Sequence, residues 1–89
     1  MSNFNRKKVG VFKINLALLE NSPEAVISIL SGLIVLRCEL MAVDDCLEYI
    51  AIGPQFETLK EGQLLLFYDC FMIEGQPVFI RNNTKTRWI

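Results

Sequence analysis

Eighty-nine residues of 10.2 kDa hold one domain and no second, and a compact monomer of that mass exposes about 5,300 Å² while burying about 64 % of its unfolded surface. Hydrophobic residues make up 52 % of the chain and the net charge is −1, which excludes intrinsic disorder; with glycine counted and tyrosine set aside, the apolar share of about 55 % exceeds the usual ~45–50 % and predicts surface hidden against another chain. A pI of 5.3 argues against general nucleic-acid binding, and the longest charge-free stretch, residues 25–36, is interrupted by Ser28, Ser31 and Gly32 and falls short of the about twenty residues a membrane span needs.

Arg6, Lys7 and Lys8 open the chain as a basic arm over residues 1–8. With Arg81, Lys85 and Arg87 they are six of the nine basic residues, and all ten acids fall between Glu20 and Glu74. Two basic ends therefore flank an acidic body. From Val9 to Leu19, apolar Phe12, Ile14, Leu16 and Leu18 alternate with Lys13 and Asn15, the pattern of a half-buried strand. Ser22-Pro23-Glu24 then supplies a capping hydroxyl, a proline at the first helical position and an acid in the first turn. A short helix is predicted over residues 23–31, closed by Gly32, with Val26, Ile29 and Leu30 as its apolar stripe.

Residues 33–43 alternate again: Ile34, Leu36, Cys38, Leu40 and Ala42 share one face, Arg37 and Glu39 the other. Asp44-Asp45 reads as a tight turn into a strand over residues 46–52, setting Val43 opposite Cys46 and Met41 opposite Glu48, so that Cys38 and Cys46 are not cross-strand partners. Gly53-Pro54 ends that strand, and a loop with Phe56 and Leu59 runs to the turn at Glu61-Gly62. The next strand, residues 63–73, is apolar on both faces, which suits a central strand under a helix or an interface; with one helix at hand, an interface is expected. Glu74-Gly75-Gln76-Pro77 turns into a last strand over residues 78–81, followed by a tail over residues 82–89 ending in Trp88-Ile89. The expected architecture is α+β over residues 9–81: strand and helix, then an antiparallel meander of three to four strands, with one short helix packed on the sheet. Lys13, Arg37 and Glu39 would mix with Val35, Met41, Phe67 and Phe71 on the uncovered face.

The residue inventory disfavours catalysis. There is no histidine, so neither a Cys–His nor a Ser–His pair can form within one chain. The five glycines stand singly, so no glycine-rich phosphate loop is present, and Gly10 reads as the mark of a bulge. Cys38, Cys46 and Cys70 are an odd set with no signal peptide ahead of them; they read as small core residues of a reducing cytoplasm and offer no zinc spacing. Asp44-Asp45 is ordinary turn chemistry. A non-enzymatic protein without cofactor or metal is expected. Two binding readings stand. In one, a homo-oligomer clamps another protein through Met41, Phe67, Phe71, Met72 and Trp88, residue types enriched at interfaces. In the other, an oligomeric sponge gathers Arg81, Asn82, Asn83, Thr84, Lys85 and Arg87 around a nucleotide-type signalling molecule, arginine forks suiting phosphate. A minor structural role in a virion is a third.

The segment Cys46-Leu47-Glu48-Tyr49-Ile50-Ala51-Ile52-Gly53-Pro54-Gln55-Phe56, with Glu61-Gly62 and Tyr68-Asp69 after it, resembles a pattern of small uncharacterised accessory proteins of tailed bacteriophages, in which Glu-Tyr-x-Ala-x-Ser-Pro-x-Phe leads through a Glu-Gly turn to another strand. Gly53 stands where serine is usual, and Leu66 where a proline often precedes the tyrosine. The resemblance covers about a third of the chain, residues 46–73, and assigns no catalytic residue. It implies a phage accessory protein that binds and inhibits a host protein, such as one of anti-phage defence, in the host cytoplasm.

Overall fold

In the computed structural model, which describes residues 7–87 and the side chains of residues 7–83, the alternation after Lys8 forms strand β1 (Val9–Asn15). The strand stops four residues earlier than expected, because Asn15 turns the chain. Its Oδ1 accepts the Ala17 N–H at 2.8 Å and so caps helix α1 (Leu16–Asn21). Leu16, Ala17, Leu18, Leu19 and Glu20 are all strong helix formers, and Leu18 and Leu19 fold together onto the core instead of alternating. Helix α2 (Pro23–Leu30) follows, with Pro23 in its first turn. Ser22 does not cap it through its hydroxyl. It is a joint: its N–H donates to the Leu18 carbonyl at 2.8 Å and its carbonyl accepts from the Ala25 N–H at 3.0 Å.

Strands β2 (Ile34–Met41), β3 (Cys46–Ile52), β4 (Leu65–Ile73) and β5 (Gln76–Arg87) complete a five-stranded sheet in the order β2-β3-β1-β4-β5. The class is α+β, with short helices against the sheet. Within it the strands do not run on as one meander. They form two antiparallel hairpins, β2-β3 and β4-β5, and β1 lies between them, antiparallel to β3 and parallel to β4. Neither helix is long and apolar enough to cross a membrane.

The β2-β3 turn is longer than a two-aspartate loop. Ala42–Asp44 make a single 3-10 turn, Asp45 takes the left-handed conformation at φ 50°, and Met41, not Val43, pairs with Cys46. Asp45 tolerates that conformation because a short polar side chain can bond locally. Cys38 pairs with Tyr49. A bulge between Val35 and Arg37 swaps the expected faces of Ile34 and Val35, so Ile34 joins Arg37, Glu39 and Met41 on one side of the sheet while Val35 joins Cys38 and Leu40 on the other. At the chain's other end β5 extends six residues past Arg81, through a bulge opposite Leu66 and Phe67, so residues 82–87 form strand where a tail was expected. Trp88 lies outside the described residues. Lys7 and Lys8, placed in the basic arm, are tied to the loop after β3: the Leu59 N–H donates to the Lys7 carbonyl at 2.7 Å and the Gly53 N–H to the Lys8 carbonyl at 3.0 Å.

The main core lies between helices and sheet, where Phe12, Ile14, Tyr49, Ala51, Leu66 and Tyr68 meet Val26 and Ile29 of α2 and Phe56 of the long loop. Its centre is aromatic. Phe12 stacks on Tyr49 with centroids 5.3 Å apart, Phe79 meets Phe12 and Phe56 edge-on at 5.0 Å each, and Phe56 lies 4.8 Å from Tyr68. Gly10 marks no bulge. A Cβ there would sit 2.7 Å from the Phe56 ring, so the loop is laid onto bare backbone. On the opposite face a smaller cluster gathers Val9, Val11, Ile52, Leu65 and Phe67. The chain exposes 6092 Å², above the about 5,300 Å² of a compact monomer of this mass. It is a slab of 39 × 34 × 20 Å.

Candidate protein interface

Helices cover one face of the sheet, and residues in register share a face. Lys13, Glu39 and Glu48 therefore form a polar row across β1, β3 and β2 on the uncovered face: Glu48 stands opposite Lys13 on one side and opposite Glu39 on the other. Glu48 is buried, and Lys13 Nζ reaches Asp44 Oδ2 at 3.3 Å. Where β1 and β4 diverge beyond Val11 and Phe67, a cleft of about 190 Å³ opens beside Lys13, Phe67, Asp69, Phe71 and Asn82. Asn82 donates from Nδ2 to both Asp69 oxygens, at 3.3 and 3.2 Å.

β4 changes character along its length. Leu65, Leu66, Phe67 and Tyr68 are buried, as a central strand between β1 and β5 must be. From Asp69 onward the residues facing the helices stay partly covered while those on the other face do not: Phe71, Ile73 and the cross-strand Ile80 are about half exposed, at 48, 51 and 51 %. Phe71 pairs with Val78 and Ile73 with Gln76, so Phe71, Ile73, Val78 and Ile80 lie on one side of the hairpin's end. They make one apolar patch next to a charged row, the pattern of an interface core with a polar rim.

A second apolar surface is β2. No residue of Ile34–Leu40 is buried, and Leu36 and Leu40 are 55 and 59 % exposed. The expected anchors therefore separate. Met41 ends β2 half-buried, Phe67 is buried inside the smaller cluster, Phe71 is at the centre of the exposed patch, and Met72 turns to the helix side and packs on the main core. Ile73, Ile80, Leu36 and Leu40 are exposed apolar residues outside the expected anchors. Their alternation shows in the sequence, but periodicity does not tell whether a helix lies above a given strand.

The basic and amide residues proposed for a ligand also separate. Arg81 and Asn82 point to opposite faces of β5, Arg81 Nη1 bonding Glu57 Oε1 at 3.1 Å on one and Asn82 bonding Asp69 on the other. Asn83 is exposed, while the side chains of Thr84, Lys85 and Arg87 lie outside those described. The Glu57 N–H donates to Tyr68 Oη at 2.7 Å, and burial holds that hydroxyl's pKa above its ordinary value. Burial likewise raises the Tyr49 hydroxyl, with the neighbouring Cys38 thiol adding to the effect. Burial pushes the Cys70 thiol up to about 11, which keeps it protonated and unreactive at neutral pH. All three cysteines are free thiols. Among the described residues no three of Cys, Asp and Glu gather as a metal site would require. What the open face offers is shape, apolar area and fixed charge. No protein-family model, curated protein or solved structure matches the chain.

Proposed function

We propose that this chain is a non-enzymatic binding protein that works as a homo-oligomer by occupying the surface of another protein, in the manner of a phage accessory protein directed at a host factor. The observation that carries this reading is the patch of Phe71, Ile73 and Ile80, half exposed on one side of one hairpin and bordered by the charged residues Lys13 and Asp69. Half-exposed aromatic and branched side chains cost little to cover, because part of their area is already dry and their rotamers are held by cross-strand neighbours. The nucleotide-sponge reading draws less support, since Arg81 and Asn82 face opposite ways and each already bonds an acid.

The test is affinity capture from bacterial lysate with the wild type and with the Phe71→Ser/Ile80→Ser double variant, with bound proteins and bound nucleotides both identified. The expected result is a defined host protein captured by the wild type and lost by the variant, with melting temperatures alike. Equal capture by both proteins, or a bound nucleotide in place of a protein, would overturn the reading.

A further inference from the structure

β2 is the outer edge of the sheet on the side away from β5, and it is exposed along seven of its eight residues. An edge strand turns a row of backbone N–H and C=O groups outward, ready to pair with another strand. β2 carries no lysine or proline to discourage that, and its bulge lies near one end, leaving residues 37–41 in regular register. Its centre reads Arg37-Cys38-Glu39, a sequence that complements itself when reversed, so that arginine meets glutamate. We infer that β2 pairs antiparallel with β2 of a second copy about a twofold axis through Cys38, joining two five-stranded sheets into one of ten. The inference rests on the homo-oligomer part of the function proposed above and names its interface.

Symmetry leaves few registers to choose from. A twofold axis relating antiparallel neighbours stands normal to the sheet and keeps each face on its own side, so it passes through a residue position. Placed at Arg37 it sets arginine against arginine, and placed at Glu39 it sets acid against acid, both unfavourable. Placed at Leu40 it sets Arg37 against Val43 and Glu39 against Met41, leaving both charges without partners. At Cys38 it sets Arg37 against Glu39 twice, both on the uncovered face, within the part of β2 that keeps a regular register. Leu40 is 59 % exposed in the single chain, so a neighbouring strand covers apolar area that the helices do not reach. The two Cys38 residues then stand directly opposite, with Cα atoms about 4.5 or 5.5 Å apart depending on the ladder position. Either spacing lies inside the about 4.4–6.8 Å range of a disulfide.

Sedimentation equilibrium on the full chain, combined with mild oxidation, tests this. The Arg37→Glu and Glu39→Arg variants should each dimerise about tenfold or more weakly, since two attractive pairs become repulsive. An equimolar mixture of the two variants should recover wild-type affinity, because every facing pair is again of opposite sign. Both positions are exposed, and unchanged melting of the separate variants will show that folding is intact. Diamide, taking two hydrogens from two thiols, should yield a Cys38–Cys38 cross-linked dimer that the Cys38→Ser variant does not form. Assembly that ignores both charge reversals, or cross-links through another cysteine, would overturn this interface and leave the homo-oligomer reading standing. A chain that stays monomeric at every concentration would overturn both. A monomer whose Cys38 becomes shielded from alkylation when a captured host protein is added would place a foreign strand on this edge and overturn self-pairing.

Discussion

The two flanks of the sheet use the same kinds of residue to opposite ends. On the β1-β4-β5 side, α2 and the long loop lie over the strands, and Phe12, Phe56, Tyr68 and Phe79 close into a ring cluster with Phe12 fully buried and Phe56 at 1 % exposure. On the β2 side Leu36, Cys38 and Leu40 stand exposed on the edge, outside the buried clusters, although they are as apolar as the core. The difference lies in the helices' reach. Six and eight residues of helix are about 9 and 12 Å of axis, too little to roof five strands. What the helices leave bare is the surface that the proposed second copy would cover.

That contrast can be broken by substitution. The largest effect is expected in the ring cluster: Phe56→Ala removes a side chain wholly enclosed by aromatic neighbours and should cost about 3–5 kcal/mol by chemical denaturation, whereas Leu40→Ala on β2 should change the stability of the single chain by less than about 0.5 kcal/mol and weaken self-association. Equal effects would mean that β2 is buried in the monomer after all. Gly10→Ala should cost about 1–3 kcal/mol, because the new Cβ meets the Phe56 ring at 2.7 Å and the loop must lift; a neutral result would show that the loop does not rest on β1. Asn15→Ala should cost about 1 kcal/mol by freeing the Ala17 N–H, with no effect on assembly.

A smaller effect is expected from pH. Tyr68, Tyr49 and Cys70 all lie on the covered side of the sheet, and burial raises each, Cys70 from 9.0 to about 11. The folded chain therefore holds these protons to higher pH than the unfolded chain does. Their contribution to stability is complete below about pH 9 and is lost as pH climbs toward 11 and beyond. Denaturation midpoints should be flat from pH 7 to 9 and fall above, in step with tyrosinate absorbance; a midpoint that does not fall would show these groups to be solvated.

Much of the local structure was legible in the residues. β3, β4 and α2 stand within two residues of their expected bounds because period-two alternation and the Ser-Pro-Glu start are local signals. The course of α1 was not, since Leu16 and Leu18 fit a strand as well as a helix until the Asn15 cap is seen. The position of β1 between the hairpins is a long-range choice that no periodicity encodes. The length of β5 was hidden because residues 82–87 carry no apolar alternation, and Asn82, Thr86 and Arg87 join the sheet through backbone pairing. For the interface, residue types pointed to Phe71 and Met41, but Phe67 and Met72 differ from Phe71 in cover and not in kind, and cover is a property of the whole fold.

The account's central claim is that the bare β2 edge is closed by a second chain. Amide hydrogen exchange read by mass spectrometry at a series of protein concentrations tests it most directly. Protection of the Ile34–Met41 segment should rise with concentration while that of Val9–Asn15 stays constant. Exchange of Ile34–Met41 that is the same at every concentration would contradict it, since the bonds to β3 alone protect only the inward amides.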